Sequence, residues 1–168
     1  MTQSVAAKPV KTMALNNTEI NRGVSLFNRA HFFDAHEVLE DVWRSAPRDG
    51  PRCRPSCGHL RLHLQGMVQL AVAFHHASTG NLVGARSVLK RAMRNLDGAD
   101  SSFPGLDLDR LRADLAPWQQ YLDDSNSALD ARDDTRDDTR EHAPDVRRRT
   151  APALPKISPR KPDSEAGL

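Results

Sequence analysis

Cysteine is almost absent from this chain. Two residues, Cys53 and Cys57, stand in 168 positions, too few for a disulfide framework. Aromatic side chains make up 5% and the hydrophobic share is 38%, which is low for a chain folded throughout, so part of it is expected outside any core. The first residues, MTQSVAAKPVKTMALNNTE, lack the apolar stretch of a secretory signal, and no apolar run approaches the roughly 18 residues that cross a bilayer. The reading is a cytoplasmic protein with no membrane contact. Net charge is +2, and no segment carries the basic excess of a dedicated nucleic-acid binder. No Gly-rich phosphate loop is present, and no serine or cysteine stands beside a base in the motifs below.

What is present has a helical period. Residues 1–16 are polar and aperiodic and read as a flexible arm. Asn17 or Thr18 can cap a first helix whose Ile20, Val24 and Phe27 share a face. A second helix is expected over 32–44. A Pro/Gly/Arg loop, APRDGPRCRPSCG, follows at 46–58, and a third helix at 59–78. Gly80 suits the position after that helix and Asn81 the cap of a fourth, which ends at Gly98. A fifth, capped by Asp107, carries Leu108, Leu111, Leu115, Trp118 and Leu122. From 123 to 168 the chain has mixed charge, a short repeat (RDDTRDDTR, 132–140) and Pro/Lys/Arg-rich stretches, and reads as a disordered tail. The fold class is therefore all-α: a compact antiparallel bundle of about five helices over 17–122, between disordered N- and C-terminal tails.

Polar residues interrupt this apolar framework at one place. At 100° per residue, Glu40 lies about 40° from His36 at the edge of the second helix's apolar face, whereas Glu37 turns toward water. The third helix is apolar on nearly every side, yet Gln65, Gln69 and His76 fall within about 40° of one another. A buried polar group without a partner costs about 1–3 kcal/mol, so the stripe must be answered. The sequence-adjacent His36/Glu40 edge is the nearest answer, and the five side chains are expected to meet. Two readings of that meeting stand. In one, His36, Glu40 and His76 ligate a divalent metal, with Glu37 as the spare acid. In the other, the cluster is a hydrogen-bond network that fixes helix register.

A second ligand set lies in the loop. Cys53, Cys57, His59 and His63 are four zinc-compatible donors in eleven residues, and would staple the loop to the bundle as a structural site. Free thiols and ordinary helix-face imidazoles are the alternative. Trp43 and Trp118 sit at core spacing. In the tail, Arg147, Arg148 and Arg149 are the only group suited to RNA or an acidic partner, and solvation is the simpler role for them.

Several blocks together resemble a known family. Phe27-Asn28, FDAHEVLEDVWR (33–44), LQGMVQLA (64–71), His76 and GNLVGA (80–85) are similar to domain-of-unknown-function family 309, over about 18–96 and extending toward 122. The resemblance implies a compact all-α fold and a label of metal-dependent hydrolase without an established substrate. It points to His36, Glu37, Glu40, Trp43, Gln65, Gln69, His76 and Asn81 as signature positions. Both tails and the cysteine loop depart from that pattern. Two function classes remain. One is a metal-dependent hydrolase with Glu37 and Glu40 as its acids and a pocket formed by Trp43, Gln65, Gln69 and Asn81. The other is a non-catalytic helical module that binds a small polar ligand or a protein partner there.

Overall fold

The structure, a computed structural model, describes residues 17–47, 56–133 and 150–161. Its regular elements are helices, as the period predicts. They are α1 (Asn17–Asn28), α2 (Phe32–Ser45), α3 (Ser56–Ser78), α4 (Leu82–Asn95) and α5 (Leu108–Asp133), with one 3-10 turn at Ala99–Ser101. Consecutive helices pack as neighbours, α1 on α2, α2 on α3, α3 on α4 and α4 on α5. Among the described residues no helix is long and apolar enough to cross a membrane.

The two helical hairpins turn in the same way. After α3, Gly80 takes a left-handed φ of 80°, and Asn81 N–H donates to the His76 carbonyl at 2.9 Å. Asn81 then caps α4 by accepting from Gly84 N–H at 2.9 Å, as the sequence suggests. After α1, Ala30 takes a φ of 63°, and His31 N–H donates to the Leu26 carbonyl at 3.0 Å. Glycine adopts this conformation freely, whereas an alanine Cβ makes it cost about 1–2 kcal/mol. Ala30→Gly is therefore expected to raise stability by about 0.5–1 kcal/mol, after the larger entropy of the unfolded glycine is subtracted. Urea denaturation should show a higher midpoint with an unchanged slope.

The core explains where the few aromatics went. Phe27 from α1, Phe32 from α2, Phe74 from α3 and Trp118 from α5 meet at centroid distances of 5.0–5.6 Å. Leucines from every helix but α1 surround them, among them Leu39, Leu64, Leu70, Leu89, Leu111 and Leu115. The low hydrophobic share is thus concentrated rather than spread.

The last helix runs beyond residue 122. α5 continues to Asp133, with Ser125 and Asn126 buried. Residues 150–161, expected as part of a disordered tail, lie extended across the bundle. Asn28 on α1 grips both main-chain groups of Ile157: its amide donates to the carbonyl at 2.8 Å, and its oxygen accepts from the N–H at 2.9 Å. Trp118 Nε1 donates to the Ala153 carbonyl at 2.9 Å. Asp107 N–H reaches the Ser158 carbonyl, and Arg160 N–H the Gly105 carbonyl. Pro155 and Ile157 are buried. Composition misleads here because an extended strap needs only two inward side chains, spaced by two, plus main-chain partners. Arg160 adds an ion pair to Asp100 at 3.1 Å, and Arg112 bonds the same carboxylate at 2.9 Å, which holds its pKa below the usual range. The arm at 1–16, the repeat at 132–140 from residue 134 onward, and Arg147, Arg148 and Arg149 lie outside the described residues.

Candidate functional site

α2 presents His36 between two carboxylates. Glu40, one turn on, places Oε2 at 3.5 Å from His36 Nε2, as the helical wheel predicts. Glu37 is exposed, as the wheel predicts, and its reach still places Oε1 at 3.4 Å from His36 Nδ1. The wheel gives the direction of a Cβ, and a glutamate has enough reach beyond it to return to its neighbour. One ligand atom from each of His36, Glu37 and Glu40 can be chosen within 4.8 Å of the others. Among the described residues this is the only grouping of three or more histidines, cysteines or acids with that geometry. Glu40 also accepts from Arg44 Nη2 at 2.8 Å. The rim is aromatic: Phe33, more than half exposed, stands 6.3 Å from the His36 ring and 5.8 Å from that of His75.

The polar stripe of α3 does not join this group. Gln69 Oε1 accepts from Asn95 of α4 at 2.9 Å, and His76 Nδ1 lies 3.3 Å from the Asn81 amide at the entrance to α4. Gly66, on the same face, sits against Leu96 and the main chain of Asn95. Gly66, Gln69 and His76 thus line the seam toward α4 and its entrance, and Gln65 is half-buried. The expectation that five side chains meet is corrected on this point. A wheel reading finds a stripe but not which of two neighbouring helices it faces. Asn81 belongs to the helix cap and the His76 contact. Trp43 packs against the core, with its indole N–H buried and unpaired.

Of the expected zinc set, Cys53 and the side chain of Cys57 lie outside the described residues. His59 is exposed. His63 is 4% exposed, and its Nδ1 lies 2.7 Å from Ser102 Oγ. That contact occupies Nδ1. Burial lowers its pKa, His59 lowers it further, and the Asp97 carbonyl and the Asp100 and Asp97 charges oppose the shift in part.

Arg61 escaped sequence reasoning because α3 reads as apolar all round. Its Nη1 donates to the carbonyls of Trp43 at 2.7 Å and Ala46 at 3.0 Å, capping the end of α2 from the next helix. The guanidinium stands 4.3 Å from the Trp43 ring centroid. Its only sequence signal is a lone cation in the first turns of a greasy helix.

Fold and site together define an all-α helical-hairpin domain with a His/Glu group on the surface of its second helix. Residues 20–88, which run from α1 into the first half of α4, match the family model described as "Domain of unknown function (DUF309)". Two curated relatives are similar to it. An uncharacterized protein of Aquifex aeolicus (strain VF5) is 27% identical over 89 residues, which are 53% of this chain and 24% of the relative. The uncharacterized protein YpuF of Bacillus subtilis (strain 168) is 31% identical over 81 residues, 48% of this chain and 41% of the relative. The chain thus spans less than half the length of either. No solved structure gives a significant match.

Proposed function

We propose that the α2 group is a divalent-cation site and that the domain works through it as a metal-dependent hydrolase. The observation that carries this reading is the spacing of His36 Nε2 and Glu40 Oε2 at 3.5 Å. Two donors on one tetrahedral zinc, each about 2.0–2.2 Å from it, stand roughly 3.4 Å apart. These residues therefore fit a small divalent cation. Glu37 fits the supporting role, since a metal-bound imidazole commonly donates its other N–H to a carboxylate, and Glu37 Oε1 stands 3.4 Å from Nδ1. A cation held there would supply an acidified water for hydrolysis. His36 and Glu40 would hold it, Glu37 would fix the ring's tautomer, and Arg44 on Glu40 Oε1 orients that carboxylate. His76, engaged by Asn81, is not needed in the first set. The pocket readings of Trp43, Gln65, Gln69 and Asn81 then reduce to support of the surrounding helices.

A second reading has its own observation. The 2.8 Å Arg44–Glu40 bond makes the group a self-contained ion-pair network on a binding module. Calorimetric titration of the full chain with Zn²⁺ and Mn²⁺ separates the two. The first reading expects one cation per chain, lost in His36→Ala and in Glu40→Gln, and bound 10–100-fold more weakly in Glu37→Gln. Absence of stoichiometric binding to the wild-type chain, or equal binding by His36→Ala, leaves the module reading.

A further inference from the structure

Ser102 follows the 3-10 turn Ala99–Ser101 and stands on the wall of a cleft of about 620 Å³. That volume lies within the range occupied by ligand pockets. The cleft has an apolar side from α1, the 102–106 loop and the strap, with Val24, Phe103, Leu106 and Ile157, and a polar side that includes Asn21, Ser25, Asn28 and Arg29. Behind Ser102, His63 is buried, with Nδ1 2.7 Å from the serine oxygen. With the ring proton on Nε2, Nδ1 carries the lone pair and the Ser102 hydroxyl donates to it. A hydroxyl at a cleft wall and an imidazole behind it as base are the two central parts of an activated serine.

We propose that Ser102 and His63 form a nucleophile–base dyad that acts on carboxylic esters with an apolar acyl group, independently of the α2 cation site. In the first half of the reaction Ser102 Oγ bonds to the ester carbonyl carbon, and His63 Nδ1 takes the hydroxyl proton. The carbon–alkoxide bond breaks, and the proton passes from His63 to the leaving alcohol. In the second half a water gives its proton to His63, its oxygen bonds to the acyl carbon, and the bond to Ser102 breaks with return of that proton. Acid and alcohol leave, and one water is consumed. The apolar wall selects the acyl group, and the lowered His63 pKa keeps the base unprotonated at neutral pH.

The full-length chain is treated with a fluorophosphonate probe and, separately, with p-nitrophenyl butyrate. Excess EDTA removes any contribution from a bound cation. One adduct on Ser102, located by peptide mass mapping, is expected. It should be absent in Ser102→Ala and to form about a hundredfold more slowly in His63→Gln, with ester hydrolysis falling in step. Thermal melts show whether each variant is folded, and the wild-type adduct site does not depend on them. A folded wild-type chain that takes no probe while a control serine esterase does, or takes it at another residue, overturns the proposal and leaves the 2.7 Å contact as a structural bond.

Discussion

Phe74→Ala is expected to cost about 3–5 kcal/mol, the largest loss from any single truncation in this core. The ring is 2% exposed, and three aromatics abut it. Phe27 meets it edge-on at 5.5 Å and 88°, Trp118 at 5.0 Å and 78°, and Phe32 lies at 5.6 Å. Transfer and cavity terms act together here, because the neighbours come from three other helices and cannot all collapse inward. Edge-to-face pairs add about 0.5–1.5 kcal/mol each beyond area burial. Such a loss is about a fifth or more of the usual total of about 5–15 kcal/mol. Urea unfolding should show a much lower midpoint, and a loss under about 1.5 kcal/mol would mean that the cluster repacks. Phe33, one position along from Phe32 and exposed, is the internal control. Phe33→Ala should stay within about 0.5 kcal/mol.

The second large effect runs the other way in volume. A Cβ at Gly66 would stand 2.8 Å from Leu96 Cγ and 3.2 Å from the main-chain carbon of Asn95. Leu96 is buried and the second neighbour is backbone, so neither can swing aside. Removing glycine from a helix interior favours the helix by at most about 1 kcal/mol, and less when valine replaces it. Overpacking costs about 1–3 kcal/mol, and valine adds two methyl groups beyond the Cβ. Gly66→Val is thus expected to lose about 2 kcal/mol net. It should also part α3 from α4, which breaks the Gln69–Asn95 bond. Loss of amide exchange protection at 92–96 reports this directly, and a midpoint equal to or above wild type would show that the seam has slack.

These expectations show which features could be read from the chain. Helix type and order follow from the spacing of apolar residues, because burial on one face is the dominant force and leaves a period behind. The Gly80/Asn81 turn is legible because its backbone demands particular residues. Ala30 makes the same turn without the residue that would reveal it. The α2 group was half legible. His36 and Glu40 are fixed by the helix, while Glu37 depends on side-chain reach. Facing is not local information, so a wheel does not reveal that Gln69 and His76 bond to Asn95 and Asn81. The pairing of His63 with Ser102 spans 39 residues, and no spacing rule encodes it. The strap at 150–161 looks solvated because two buried residues among many charges do not change a composition.

The strap also sets an order of events. Asn28 and Ile157 are 129 residues apart, the longest interval closed by any bond pair described above. Closing so large a loop costs entropy that only a preformed surface can offset, so the strap docks onto a bundle already assembled. During synthesis the four-helix region matching the family leaves the ribosome well before residue 157 does. For that interval the nascent domain carries an open furrow along α1, with Trp118 lacking the acceptor for its indole N–H. The window in which this chain is most exposed to misassociation is therefore late, after the helices have paired and before its own C-terminal segment covers them.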